Sequence, residues 1–209
     1  MRKALVASSI VFLLLSGCLG VGAPPVQPKP QPTPVPAALA IADYFPVSIG
    51  SKWKFGGWGN EFAPFEREIT HRSGDKVQLQ DATGGTTVGF VLRVNEAEVR
   101  IIYGIEEHYD KKSLLDRQPS RDVLLLKAPL REGEKWESAG STRSIEKAAL
   151  DVVVPAGLFK NCIQIKSVRA DSEWTTYEYY APGVGLIKRE NAAGENVVIS
   201  DLHSYSIAK

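Results

Sequence analysis

The side chains of greatest chemical reach in this 209-residue chain are two thiols, three imidazoles and one dense run of polar groups. Cys18 and Cys162 could act as nucleophiles, and His71, His108 and His203 could move protons or hold a metal. Glu106-Glu107-His108-Tyr109-Asp110 could supply an acid and a base or grip a cation. Spacing argues against most of this chemistry. Metal sites need clustered ligands, and the histidines are isolated, with no HxxxH and no CxxC. No GxSxG elbow and no phosphate-binding glycine loop occurs. The polar run sits beside Lys111-Lys112, which is the composition of a solvated turn. We therefore assign no catalytic residue, no metal ligand and no cofactor, and read the chain as a non-enzyme. A hydrolase assembled from side chains that only folding brings together stays open as an alternative.

The elements around Cys18 give that thiol a different role. Arg2 and Lys3 form a positive start, Ala4 to Leu15 a mostly apolar run, and Leu15-Ser16-Gly17-Cys18 follows directly. The run is too short to span a bilayer, which takes about 20 residues. This pattern resembles the bacterial lipoprotein signal peptide, whose lipobox ends in a Cys. The resemblance implies that residues 1–17 are removed and that Cys18 becomes the amino terminus of the mature protein. It further implies a diacylglyceryl thioether there and acylation of the new amino group, with palmitate as an expected acyl chain. A thiolate is the side-chain nucleophile suited to thioether formation, and small Ser16 and Gly17 leave the cleavage site accessible. Each buried methylene contributes about 0.8 kcal/mol, so two or three chains anchor stably where one does not. The alternative is an ordinary secretory signal in which Cys18 is incidental. With Cys18 acylated, Cys162 has no thiol partner in the chain and reads as a small buried hydrophobe.

Residues 18–37 read as a tether. Seven of the 13 prolines fall between Pro24 and Pro36, which favours extended polyproline II at about 3.1 Å per residue. A PxxP ligand for a signalling module is the rival reading. The whole chain carries 25 basic and 24 acidic residues, and loss of Arg2 and Lys3 leaves 23 against 24. A near-neutral surface without a basic block excludes nucleic acid as a partner and gives no help from anionic lipid headgroups. The implied location is a lipid-anchored protein of the cell membrane or the outer membrane, with its domain outside the cytoplasm. Leu19 after Cys18, rather than Asp, favours the outer membrane in a cell that has one.

Residues 38–209 read as a mainly β globular domain. Phe65, Arg67, Ile69 and His71 alternate with Glu66, Glu68, Thr70 and Arg72, and Val77, Leu79, the run Thr86–Val94 and the set Val99, Ile101, Tyr103, Ile105 continue a meander. Further strands are expected at Asp122–Lys127, Ser144–Val154, Cys162–Arg169, Glu173–Tyr180, Gly185–Arg189 and Asn196–Tyr205. Short helices are expected at Ala38–Asp43 and around Lys111–Asp116. An echo links Pro46, Gly50, Lys52, Trp53 to Pro129, Gly133, Lys135, Trp136 at identical spacing. It fits two similar antiparallel halves, or a single turn problem solved twice. Trp53, Trp58, Trp136 and Trp174 fit core positions better than sugar-stacking ones.

Three motifs carry a second resemblance: Asp43-Tyr44-Phe45-Pro46 with Gly50 and Trp53, Val154 to Cys162, and Tyr179 to Lys188. Together they are similar to a broad group of uncharacterised bacterial lipoproteins and secreted β-rich proteins. The resemblance implies a curved antiparallel sheet, a half-barrel or a sandwich, similar to the half-barrel of the LolA and LolB lipoprotein carriers. It implies no catalytic residues. The functional expectation is a membrane-anchored binding or scaffolding module that contacts an envelope protein or a small apolar ligand. A lipid or lipoprotein carrier with a dry apolar cavity is the alternative, and no ligand-binding residue is assigned.

Overall fold

The computed structural model describes residues 40–209. The signal peptide, Cys18 and the proline-rich tether lie outside the described residues. All described residues belong to one compact unit with its own hydrophobic core, so this part is built to fold without the tether. The elements are α1 (Ile41–Tyr44), β1 (Lys52–Trp58), β2 (Phe65–Ser73), β3 (Lys76–Thr83), β4 (Thr87–Val94), β5 (Glu98–Ile105), β6 (Val123–Lys127), β7 (Lys135–Ser138), β8 (Ser141–Val154), β9 (Gly157–Arg169), β10 (Thr175–Ala181), β11 (Gly185–Ala193) and β12 (Asn196–Ser206). The protein is mainly β, a nearly closed, barrel-like antiparallel sheet with one short helix.

Each strand pairs with its neighbours in sequence, except that β6 and β7 do not pair, and β1 also pairs with β12. The order is therefore cyclic except for one seam between β6 and β7. Both seam strands are short, which limits the unpaired edge they present. The indole Nε1 of buried Trp136 on β7 donates to the Leu124 carbonyl of β6 at 3.1 Å, so a side chain spans the gap that the ladder leaves. Outward positions on β1 and β2 carry Lys52, Lys54, Glu66 and Glu68, which makes that outer face a hydrated one.

The sequence echo is a structural corner that occurs twice, once at the head of each run of six strands. Gly50 and Gly133 both have φ of 88°. Gly50 N donates to Ile69 O and Gly133 N to Ile145 O, each at 2.8 Å. In return Ile69 N donates to Ser51 O and Ile145 N to Glu134 O. Trp53 and Trp136 then enter the core at the same place in each half. Beyond the echo, Trp53 faces Arg67 across the β1–β2 pair and Trp136 faces Arg143 across β7–β8. Two meanders of six strands, β1–β6 and β7–β12, thus begin with the same corner.

Helix α1 stoppers one end of the barrel. Its Ile41 and Tyr44 are fully buried, the Tyr44 hydroxyl donates to Asn161 O at 2.7 Å, and Gly183 N donates to Asp43 O at 2.6 Å. The expected helix at Ala38–Asp43 is this single turn, displaced by one residue at its end. No helix forms at Lys111–Asp116. Lys111 sits at φ 53° and the Gln78 side chain bonds both Lys112 O (2.9 Å) and Leu114 N (2.6 Å), which holds the segment extended. Leu114 and Leu115 pack with Val91 and Ile102 into a small second core on the outside of the sheet. Ile102 reaches it by simple alternation from Ile101, and a bulge between β4 and β5 turns Tyr103, expected in phase with Ile101, to the same outer side opposite Val91.

Gly133 tests the repeat cleanly, because a Cβ there meets nothing within 4 Å and only the backbone conformation objects. Gly133→Ala is expected to cost about 1–2 kcal/mol. The urea midpoint should fall by about 0.5–1 M without a change in m-value.

Candidate functional site

The strands carry five charged side chains into the interior. Arg67 faces Trp53 and Asp81, Arg143 faces Trp136 and Ser167, and Glu178 faces Ile165 and Arg189. Antiparallel partners share a face of the sheet, so all five point the same way as the core residues. Arg67 holds Asp81 in a two-pronged pair, Nε to Oδ1 at 2.7 Å and Nη2 to Oδ2 at 2.6 Å. Glu178 is shared: Arg143 Nη2 donates to Oε2 at 2.5 Å, the Tyr180 hydroxyl donates to the same oxygen at 3.3 Å, and Arg189 Nε lies 3.5 Å from Oε1.

The electrostatics are those of charges held in a dry place. Burial works to raise the Glu178 carboxyl, but Arg143 and Arg189 outweigh it and bring the group down to about 2. Burial likewise opposes the charge on Arg67, and Asp81 overcomes it. Burial and the neighbouring Glu178 push the Tyr180 phenol up, which keeps it a neutral donor. Three guanidinium groups stand against two carboxylates, leaving one positive charge in excess. Arg143 Nε is buried without a partner among the described residues.

A cavity of about 150 Å³ adjoins this cluster. One wall is apolar, made by Phe90, Leu92, Ile101 and Leu125 of the first half. Arg189 and Glu178 of the second half form the facing wall, with the Arg67–Asp81 pair beside them. The repeat explains the space. In the second half Glu178 pairs with Arg189, and in the first half the corresponding pair is Phe90 with Gly104. Arg121, from the loop after β5, lies over Gly104, where a Cβ would come within 2.8 Å of its Nε. A larger hollow of about 530 Å³ lies on the outside, between β1, β2, β12 and the loop carrying Tyr109 and Lys111. It is a mixed-charge surface groove in which Lys111 pairs with Glu68 at 2.6 Å.

The residues singled out in the sequence do not gather into one site. His108 is buried as a strut, its Nε2 within 3.1 Å of Lys112 O and 3.3 Å of the Gln78 amide. Glu106 and Glu107 remain exposed beside it. His71 and His203 sit on β2 and β12. Cys162 is buried, and burial together with Asp151 pushes its thiol up to about 11, the setting of an inert core cysteine. The expectation that all four tryptophans are core holds for Trp53 and Trp136 but not for Trp58 and Trp174, which are 57% and 39% exposed. Trp58 ends β1 and Trp174 precedes β10, where the strands leave the packed interior.

No protein-family model and no curated protein matches the chain. Among solved structures it is similar to a protein of Bacteroides fragilis NCTC 9343, provisionally assigned as exported and given a YmcC-like fold. That match has a TM-score of 0.48 and 13% identity, and covers 80% of this chain and 100% of the other. It is also similar to a protein of Parabacteroides distasonis ATCC 8503 provisionally assigned as a lipoprotein. There the TM-score is 0.42 and the identity 14%, over 78% of this chain and 98% of the other.

The depressed Glu178 carboxyl fixes a pH dependence. A folded-state value near 2 against an ordinary 4.5 means that the unfolded chain takes up the proton first as pH falls. Stability from this group is complete above about pH 4.5 and is lost progressively towards pH 2. The group is worth roughly 3 kcal/mol by that difference. Urea titrations of the wild type and Glu178→Gln between pH 6 and 2.5 should show a steeper fall for the wild type. Parallel curves would remove Glu178 from the account.

Proposed function

We propose that this protein is a bacterial lipoprotein anchored through Cys18, with a non-enzymatic β domain that binds a small ligand on the outer side of a membrane. The observation that carries the binding role is the cavity with one apolar and one charged wall, since small-molecule sites combine apolar surface with a few convergent polar groups. The lipobox Leu15-Ser16-Gly17-Cys18 supports the anchor, and the proline-rich residues 18–37 support a spacer between membrane and domain. Ala40 leads into the end of the barrel that α1 stoppers, so the chain from the tether joins at a closed end.

The carrier reading fits the interior less well. A carrier of the LolA and LolB kind must enclose an acyl chain, whereas about 150 Å³ matches a cavity that takes up benzene. An envelope protein remains the second candidate partner, favoured by exposed Trp58 and Phe62 at the end of the barrel away from α1. No nucleic-acid role is proposed.

The anchor is tested by Cys18→Ser expressed as the full chain in a bacterial host. Wild-type protein is expected in the membrane fraction with incorporated radiolabelled palmitate. The variant should appear in the soluble fraction without label. Retention of the variant in membranes would overturn the anchor.

A further inference from the structure

The interior charges do not balance, and the imbalance has an address. Arg67 is satisfied by Asp81 through two short bonds. Arg143 gives its best bond to Glu178 and is only 8% exposed. Arg189 differs from both. It makes no hydrogen bond among the described residues, its one ion pair to Glu178 is long at 3.5 Å, and its side chain is 31% exposed. It lines the cavity, with its guanidinium 5.4 Å from the centre of the Phe65 ring, which holds the group in place on that side.

We propose that the cavity takes a small organic monoanion: a carboxylate borne on an aromatic ring or a short alkyl chain, paired with Arg189. This rests on the binding-module reading above and names the ligand class for the same site. The free fork of Arg189 matches a carboxylate in two-pronged geometry, which a point charge such as lysine does not. One carboxylate cancels the single excess positive charge of the five-residue cluster, which falls to Arg189 because Glu178 bonds Arg143 more closely. The apolar wall of Phe90, Leu92, Ile101 and Leu125 receives the body of the ligand. The volume limits that body to about the size of a benzene ring. Arg121, over Gly104 and close to Phe90, adds a further positive group near the apolar wall that favours capture of an anion.

The experiment is a fluorine NMR titration of 4-fluorobenzoate into a chain lacking residues 1–37. Neutral 4-fluorotoluene, inorganic phosphate and hexadecanoate serve as comparisons. Saturable one-to-one binding of the benzoate is expected, at least tenfold tighter than that of the toluene, and phosphate should not displace it. Hexadecanoate should fail to compete, which separates a free small carboxylate from a lipid chain. Arg189→Gln should weaken binding at least tenfold, and Lys54→Gln on the outer face should not change it. If Arg189→Gln does not fold, Arg189→Lys keeps the charge without the fork and should weaken binding several-fold. Absence of saturable binding, equal affinity for the toluene, displacement by phosphate, competition by hexadecanoate, or unchanged affinity in the folded Arg189 variant would each overturn the proposal. The fractionation of Cys18→Ser is independent of these outcomes, so a failed ligand and a failed anchor can be told apart.

Discussion

The pairing of β1 with β12 is the constraint on which the rest of the architecture depends. Seven residues of β1, from Lys52 to Trp58, are matched by residues between Ile199 and Ser206. The two strands stand at opposite ends of the domain sequence, so this ladder carries the largest loop-closure cost in the molecule. Once formed it converts two open meanders into one curved wall and places Arg67 within the same interior as Glu178. Without it the two halves would be held together only at the β6–β7 seam, and their inward charges would face water. The cluster therefore depends on closure, and closure must supply enough apolar burial to carry charged groups inside.

The three motifs that suggested a family turn out to be one structural device. Asp43 accepts from Gly183, Tyr44 donates to Asn161, and the Trp53 indole donates to Val184 at 2.8 Å. Gly185 lies so near the Tyr44–Pro46 segment that a Cβ would come within 3.3 Å of Pro46. Residues far apart in the chain thus meet at the stoppered end of the barrel, where they close the core rather than contact a ligand. Such motifs are read easily because turns and close approaches restrict residue type strongly.

The site was legible in a different and weaker way. Alternation alone placed Arg67 in phase with Phe65 and Ile69, which is the signal of an inward charge, yet nothing in the sequence joined it to Glu178 or Arg189. Those contacts depend on which strands become neighbours across the closed sheet. The two-halves reading was visible only in the eight-residue corner. The equivalence of Arg67 and Arg143 is hidden because one follows its tryptophan by 14 residues and the other by seven, the first hairpin having the longer connection. Strand positions were mostly clear, whereas the helix expected near Lys111 failed because side-chain bonds from Gln78, on a distant strand, decide that loop. The exposed ends at Trp58 and Trp174 show the same limit, since residue type alone does not say where a strand leaves the core.

The position of β1 also sets how the domain bears mechanical load. The chain arrives at Ala40, passes α1 and runs up β1, which is flanked by β12 on one side and β2 on the other. A pull on Ala40 resisted at the far end of the barrel acts along the axis of β1, so the hydrogen bonds of both ladders are strained together in shear rather than opened one at a time. Ala208 N bonds Ser51 Oγ at 3.0 Å beside the start of this strand, adding a cross-tie where the force enters. Tension entering at Ala40 would thus be shared by two ladders in parallel.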